Sequence, residues 1–218
     1  MSAAFYTSYA ALWLLLLVIT AAVFVLYRHF GLMALGTAEG VERDGLKIGE
    51  VAPRLSAFTP EGRTFNWSPS PERSALLFFG APDCGPCEEV LPFVSRLAHS
   101  LPDDRNLDIV TVVIGTTESA GEFARMYDLP SLTLAEDGSG ASDLYRVRVT
   151  PFAFVIGADG RILSKGLCSD PLRLRRVLDL GGLADEATVL DPAIEEARQA
   201  ATAERAAEAK ERLKGVVA

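Results

Sequence analysis

The chain opens with a pattern of hydrophobic positions that differs from everything after it. Residues 9–27, YAALWLLLLVITAAVFVLY, form an apolar run without a charged side chain. A run of this length suits a helix that crosses about 30 Å of hydrocarbon, and Tyr9 and Tyr27 lie at its ends, as interfacial aromatic residues do. We therefore expect a membrane anchor at residues 1–29, with a cleaved signal peptide ending at GTA (36–38) as the alternative.

From Ile48 onward, short apolar runs alternate with amphipathic segments. The pattern predicts a hairpin over 54–67, turned at 60–62, and strands at 75–80, 107–115 and 131–136. It predicts a second hairpin from strands at 152–157 and 161–166. It predicts helices at 85–101, 119–129, 140–147 and 171–180. Strands interleaved with helices indicate an α/β fold with a mixed central sheet flanked by helices.

The polar segments on either side set the predicted domain boundaries. Residues 30–47 are rich in glycine and charge, which suits a linker. The α/β domain is expected at 48–182. Residues 183–218 are mostly alanine, glutamate and arginine, and we expect a helical tail, either a solvated appendage or a docking helix for a partner.

Composition excludes two classes of protein. The formal net charge is −8 over 218 residues, and lysine and arginine are not clustered with aromatic residues, so nucleic acid is not expected as a partner. Three cysteines are too few for a secreted disulfide scaffold, and their odd number leaves at least one outside any intramolecular pair.

Two of the cysteines form the motif CGPC, where a predicted strand ends and a helix begins. Cys84 would lie at the helix N-terminus, where the helix dipole and free N–H groups favour a thiolate. Cys87 is spaced to attack a mixed disulfide on Cys84 and release the product. A structural disulfide would close too short a loop to constrain the chain, and a zinc site would need ligands beyond Cys168, His29 and His99.

The motifs together carry a family resemblance. GLKIGEVAP at 45–53, FFGAPDCGPCEEVLP at 78–92 and VRVTPFAFVIGADGRI at 147–162 follow an apolar N-terminal segment. The chain resembles, over residues 1–180, membrane-anchored thioredoxin-like proteins of the TlpA and ResA type, and among them the methylamine-utilisation proteins of the MauD type. This resemblance implies a thioredoxin fold and an exported protein thiol–disulfide oxidoreductase. It also implies that Cys84 is the nucleophile and Cys87 the resolving thiol.

The resemblance further implies that Pro151 is a cis-proline facing the cysteine pair. A cis bond after Thr150 would turn the Thr150 peptide group toward the cysteines, where it can pair with an extended substrate segment. An ordinary trans proline that opens a strand is the alternative.

The residues around the motif also indicate a direction of exchange. Gly85 and Pro86 between the cysteines resemble thioredoxin, but Phe78 replaces the buried aspartate that thioredoxins carry. Acidic neighbours such as Asp83 and Glu88 oppose thiolate formation and thereby favour the disulfide. We therefore expect a reductant or isomerase that matures exported proteins, including clients of the methylamine dehydrogenase type.

The resemblance also sets the expected partners. It implies protein substrates with thiols or disulfides and an integral-membrane thiol shuttle as electron donor, with no metal or organic cofactor. The expected location is the inner membrane, with the domain on the periplasmic side, since disulfide exchange fits an oxidising compartment.

The same two cysteines are compatible in principle with two other functions. A peroxidase of the peroxiredoxin type requires P-x-x-x-T-x-x-C, but Leu77 and Gly80 stand seven residues before Cys84 and Cys87. A Cu(I) metallochaperone is the alternative function, because paired thiols suit a soft ion.

The third cysteine, Cys168, is expected to be a buried bystander, with a disulfide to the active-site pair as the competing hypothesis.

Overall fold

The computed structural model describes residues 3–31, 44–101, 106–130 and 132–217. Contacts divide the chain into a unit at residues 1–43 and a unit at 44–218. The first unit contains helix α1 (Ala3–Gly31), which includes the predicted anchor run. Within the described ranges, no helix meets the combined demands of length and apolar character that a membrane crossing makes. Residues 32–43, most of the predicted linker, lie outside the described part.

The second unit is built on a seven-stranded sheet in the order β2-β1-β5-β4-β3-β6-β7. Strands β3, β4 and β5 are parallel, β6 pairs antiparallel with β3, and β7 pairs antiparallel with β6, while β1 and β2 form an antiparallel hairpin beside β5. The mixed sheet predicted from the sequence is confirmed. The strands are β1 (Leu55–Phe58), β2 (Thr64–Trp67), β3 (Ser74–Gly80), β4 (Leu107–Val113), β5 (Thr133–Ala135), β6 (Phe152–Ile156) and β7 (Ile162–Leu167).

Helices cover both faces of the sheet. They are α2 (Gly85–Ser100), α3 (Thr117–Met126), α4 (Ala141–Tyr145), α5 (Pro171–Leu180), α6 (Ala184–Ala187) and α7 (Asp191–Val217), with a 3₁₀ turn at Thr188–Leu190. One apolar cluster packs α2, α3 and α5 against the face of β3 that carries Phe78. A second cluster, centred on Phe79 and Tyr145, fills the other face. Successive residues of β3 therefore point to opposite cores, as the two-residue period of a strand requires.

The chain enters this unit earlier than residue 48, the predicted start. Asp44 and Leu46 are buried, and the Asp44 carboxylate accepts a hydrogen bond from Arg148 Nε across 2.7 Å. Gly45 has φ +71°, and a Cβ there would lie 2.8 Å from Cζ of Phe154. Only glycine fits a left-handed backbone pressed so closely against an aromatic ring.

The unit also extends beyond residue 182, the predicted end of the α/β domain. Leu183, Ala187 and Leu190 are buried in the same cluster as α2 and α5. Their three- and four-residue spacing places them on one helical face, and the structure buries that face. The composition of the segment, dominated by alanine and charge, hid this short apolar stripe.

Candidate active site

The two cysteines of CGPC lie where β3 passes into α2. Cys84 is the N-cap of α2, with an extended backbone (φ −103°, ψ 95°), and Pro86 lies in the first turn, where its missing N–H is not needed. The Cys84 carbonyl accepts hydrogen bonds from the N–H groups of Cys87 (2.8 Å) and Glu88 (3.2 Å). Asp83 precedes the cap with φ 59°, a left-handed conformation that Asp tolerates better than most residues. This turn sets both sulfur atoms at the start of the helix.

Cys84 and Cys87 are joined by a disulfide, with their Cα atoms 5.2 Å apart. The two sides of the bond differ in exposure. Cys84 is partly exposed, whereas Cys87 is wholly buried. A reagent or substrate thus reaches the sulfur of Cys84 first.

The sulfur of Cys87 lies among apolar groups. A Cβ built on Gly80 would be 3.9 Å from Cys87 Sγ, 3.3 Å from the ring of Phe78 and 3.7 Å from the ring of Phe123. Phe78 is the residue at the position where thioredoxins carry an aspartate, so an aromatic edge occupies that space here. The small glycine leaves room for the sulfur and both rings.

The loop before β6 brings Thr150 and Pro151 to the disulfide. The Thr150–Pro151 peptide bond is cis, as the resemblance implied. The Thr150 hydroxyl donates to Cys84 Sγ across 3.5 Å. The sequence predicts a role for the Thr150 peptide group but not this side-chain contact, because Cys84 lies 66 residues earlier in the chain.

The same loop is held at its base by groups that no sequence motif marked. Asp44 accepts from both the backbone N–H (3.4 Å) and Nε (2.7 Å) of Arg148, two residues before Thr150. The backbone carbonyl of Asp44 also accepts from Lys165 Nζ on β7. The segment that enters the domain is thereby tied to the loop that contacts Cys84.

Cys168 is a free, fully buried thiol. Its backbone N–H donates to the carbonyl of Pro151 across 2.8 Å, and its Sγ lies 3.5 Å from the carbonyl of Gly166. Burial raises the pKa of this thiol, and the charge of Asp170 raises it further. A buried, neutral thiol has little nucleophilic character.

Acidic residues flank the cysteine pair in the sequence. Asp83, Glu88 and Glu89 are all exposed to solvent. Together they give the approach to Cys84 a negative rim.

Comparisons with known proteins bear on the resemblance to MauD-type proteins. A methylamine utilization protein MauD of Methylobacillus flagellatus is 32% identical over 130 residues, 57% of this chain and 60% of that protein. The match thus spans less than two thirds of that relative. A MauD of Paracoccus versutus is 25% identical over 174 residues, 77% of this chain and 84% of that protein. These relatives confirm the resemblance to MauD-type proteins.

A solved structure and a family model agree with the architecture. The thioredoxin domain of a thiol-disulfide oxidoreductase from Bacteroides vulgatus matches with a TM-score of 0.50 and 17% identity, over 56% of this chain and 89% of that chain. At that identity the likeness concerns the fold, and it supports the expected thioredoxin-like arrangement. The AhpC/TSA family model matches residues 48–165, more than half of the chain. The chain therefore belongs to the AhpC/TSA family, and its domain has the thioredoxin-like α/β fold.

Proposed function

We propose that the protein is a thiol–disulfide oxidoreductase that acts on other proteins, with Cys84 as nucleophile and Cys87 as resolving thiol. The observation that carries this proposal is the asymmetry of the disulfide, whose partly exposed sulfur at the helix start is bonded to a buried sulfur one turn later. Such an arrangement exposes one sulfur to substrate and keeps the other for the intramolecular step.

The exchange proceeds in two balanced steps. The Cys84 thiolate of the reduced protein attacks one sulfur of a substrate disulfide, so that a mixed disulfide forms and one substrate thiolate leaves. The Cys87 thiolate then attacks Cys84 Sγ, which forms the Cys84–Cys87 disulfide and releases the second substrate thiolate. The substrate gains two electrons from the protein dithiol, and its two thiolates take up the two protons that Cys84 and Cys87 lose on becoming thiolates.

Thr150, Pro151, Gly85 and Pro86 support this exchange in the proposal. The Thr150 hydroxyl, within 3.5 Å of Cys84 Sγ, stabilises negative charge on that sulfur. Pro151 fixes the loop on which Thr150 lies and leaves the neighbouring peptide available to an extended substrate. Gly85 and Pro86 shape the first turn between the cysteines.

The net direction in the proposal is reduction or isomerisation. The exposed acidic rim at Asp83, Glu88 and Glu89 opposes a thiolate on Cys84. A less stabilised thiolate shifts the equilibrium toward the disulfide form of the protein, which makes the dithiol a better reductant. Electrons would then come from an integral-membrane thiol shuttle, and the clients would be exported proteins, including those of the methylamine dehydrogenase type.

We also propose that α1 anchors the protein in the inner membrane, with the domain on the periplasmic side. The proposal rests on the uncharged apolar run at residues 9–27, which lies within α1 and has about the length that ~30 Å of hydrocarbon requires of a helix. Large apolar side chains from Leu12 to Ile19 are exposed along it. A phosphatase fused to the C-terminus should be active and a cytoplasmic reporter inactive; the opposite result would overturn the orientation.

A trapping experiment tests the activity. The Cys87→Ala variant should accumulate mixed disulfides on Cys84 that appear on non-reducing gels and disappear with dithiothreitol. The control, Cys84→Ser with Cys87→Ala, should trap nothing. Reduction of insulin by the dithiol form should be lost in Cys84→Ser. Insulin reduction that survives this substitution would refute the assignment.

A further inference from the structure

A groove lies beside the candidate active site, between α2, the start of α5 and the C-terminal helix α7. Its volume is about 450 Å³. Clefts of this size hold small ligands or a few side chains of a peptide. We call it the tail groove, and the residues of its lining that matter here are Glu89, Phe93, Leu172, Ile194, Arg198 and Arg205.

Two walls of the tail groove begin at the active site. On α2, Gly85, Glu89 and Phe93 follow one another at four-residue spacing and share one helical face. Gly85 lies between the two cysteines, and eight residues of helix separate it from Phe93, about 12 Å. On the other side, α5 starts three residues after Cys168, whose backbone N–H binds the carbonyl of Pro151. An extended chain that leaves Cys84 along α2 covers the distance to Phe93 in about four residues.

Apolar side chains form part of the lining of the tail groove. Phe93 and Ile194 are partly buried and pack against the core. Leu172 is 58% exposed. Burying such a side chain against a partner's apolar residue removes both from water, which favours association.

Charge divides the tail groove into two ends. Glu89, one of the three residues of the acidic rim, lies at the end near the disulfide. The Asp170 carboxylate already has partners within the protein, because it caps α5 and pairs with Arg173 Nε at 3.1 Å. Arg198 and Arg205 are exposed on α7, seven residues and about 10 Å apart on one helical face. In a chain of net charge −8, this end of the groove is locally basic.

We infer that the tail groove binds an extended segment of the substrate protein that carries an apolar side chain about four residues from its reactive cysteine and acidic side chains beyond it. The inference rests on the proposed function and adds a substrate class to it. The apolar residue contacts Phe93, Leu172 and Ile194, and the acidic residues pair with Arg198 and Arg205. Helix α7 thus takes part in selecting clients.

Synthetic peptide disulfides test this inference on the full-length protein in detergent. The probe is the homodimeric disulfide of Glu-Glu-Gly-Leu-Gly-Ser-Gly-Cys-Gly-Ser-Gly-Leu-Gly-Glu-Glu, which presents the same pattern in either chain direction. One comparison peptide has lysine for each glutamate and another has serine for each leucine. The uncharged bis(2-hydroxyethyl) disulfide reports exchange without docking. For each of these disulfides, the rate at which the reduced protein releases thiol from the substrate is measured in a single turnover.

We expect the glutamate peptide to react about tenfold faster than the lysine peptide at low salt, with a smaller ratio at high salt, because these charges are exposed. The double variant Arg198→Glu, Arg205→Glu should abolish or invert this preference, and Arg176→Glu, an exposed position on α5 outside the groove, should retain it. Leu172→Ser should lower the rate for the leucine peptide relative to the serine peptide about threefold, whereas Leu180→Ser, 67% exposed and outside the groove, should not.

The two proposals fail differently. If no disulfide is reduced, the proposed oxidoreductase function is wrong, and the groove inference falls with it. If bis(2-hydroxyethyl) disulfide and all the peptides are reduced without the stated preferences, the function stands and the groove inference is overturned. If the Arg198→Glu, Arg205→Glu variant changes the sedimentation of the protein but not its peptide preference, the groove is a contact between copies of the chain, which also overturns the inference.

Discussion

Thr150 connects the cis-proline loop to the redox pair, since its hydroxyl donates to Cys84 Sγ across 3.5 Å. Thr150→Val keeps the size and the branching of the side chain but removes the donor. In the reduced protein, that donor stabilises the thiolate of Cys84 more than the thiol. We therefore expect Thr150→Val to lower the fraction of Cys84 that reacts as thiolate near neutral pH.

The geometry sets the size of the effect. A hydrogen bond to a charged group contributes about 1.5–3 kcal/mol. The contact is long and Thr150 is only partly buried, so the lower bound applies. About 1.4 kcal/mol corresponds to a tenfold change in an equilibrium constant, so alkylation of Cys84 should slow about tenfold.

The assay uses full-length protein in a Cys87→Ser background, so that Cys84 is the accessible thiol of the pair. The protein is reduced, desalted and treated with iodoacetamide at pH 7, and the rate is followed by mass spectrometry. Thr150→Ser is the matched control, because it retains a hydroxyl at the same atom and should keep the wild-type rate. If Thr150→Val reacts as fast as wild type, or Thr150→Ser reacts as slowly as Thr150→Val, the hydroxyl does not act on Cys84 and the reasoning is refuted.

Three further outcomes are expected. Reduced Cys84 should be alkylated faster than Cys87 in the wild-type domain, since Cys87 is wholly buried; equal slow labelling would contradict the assigned roles. Because burial raises the pKa of the Cys168 thiol, Cys168 should escape iodoacetamide at pH 8 until the protein is denatured, and Cys168→Ser should retain exchange within a few-fold; a loss like that of Cys84→Ser would show a catalytic role. Tyr145→Phe should lower the free energy of unfolding by about 1–3 kcal/mol in urea titrations, because the buried phenol donates to the carbonyl of Pro53 across 2.7 Å. Since burial raises the pKa of this phenol, the wild type should lose more stability than the variant as pH rises above about 10; identical pH profiles would contradict this.

The sequence determined the elements of the domain because their signals are local. Alternating or continuous apolar runs marked the strands, and β3 starts one residue before its predicted position at Ala75. Asp159-Gly160 marked the tip of the last hairpin, where Gly160 has the positive φ that such a turn requires. The CGPC motif at a strand-to-helix junction identified Cys84 and Cys87 as a pair that can form a disulfide. Their three-residue spacing at the start of a helix is a local feature that places the two side chains one turn apart.

The boundaries of the domain were harder to predict from the sequence. Asp44 reads as part of a polar linker, and its burial depends on Arg148, a partner 104 residues away. Leu183 and Ala187 reside in an alanine-rich segment, and whether such a stripe is buried depends on the apolar surface that another helix offers it. Composition describes a segment alone and contains no information on its partner.

The contacts of the site were decided by tertiary structure. The sequence places Thr150 next to a proline, but a hydroxyl within reach of Cys84 requires β6 to lie beside β3, antiparallel and in the register that pairs Phe79 with Phe152. The tail groove likewise exists because α7 returns past α2 and α5. Local propensity and spacing fix which residues form an element and which residues share a face. Distances between elements far apart in the chain follow from how their apolar faces pack, and this packing is a property of the whole fold.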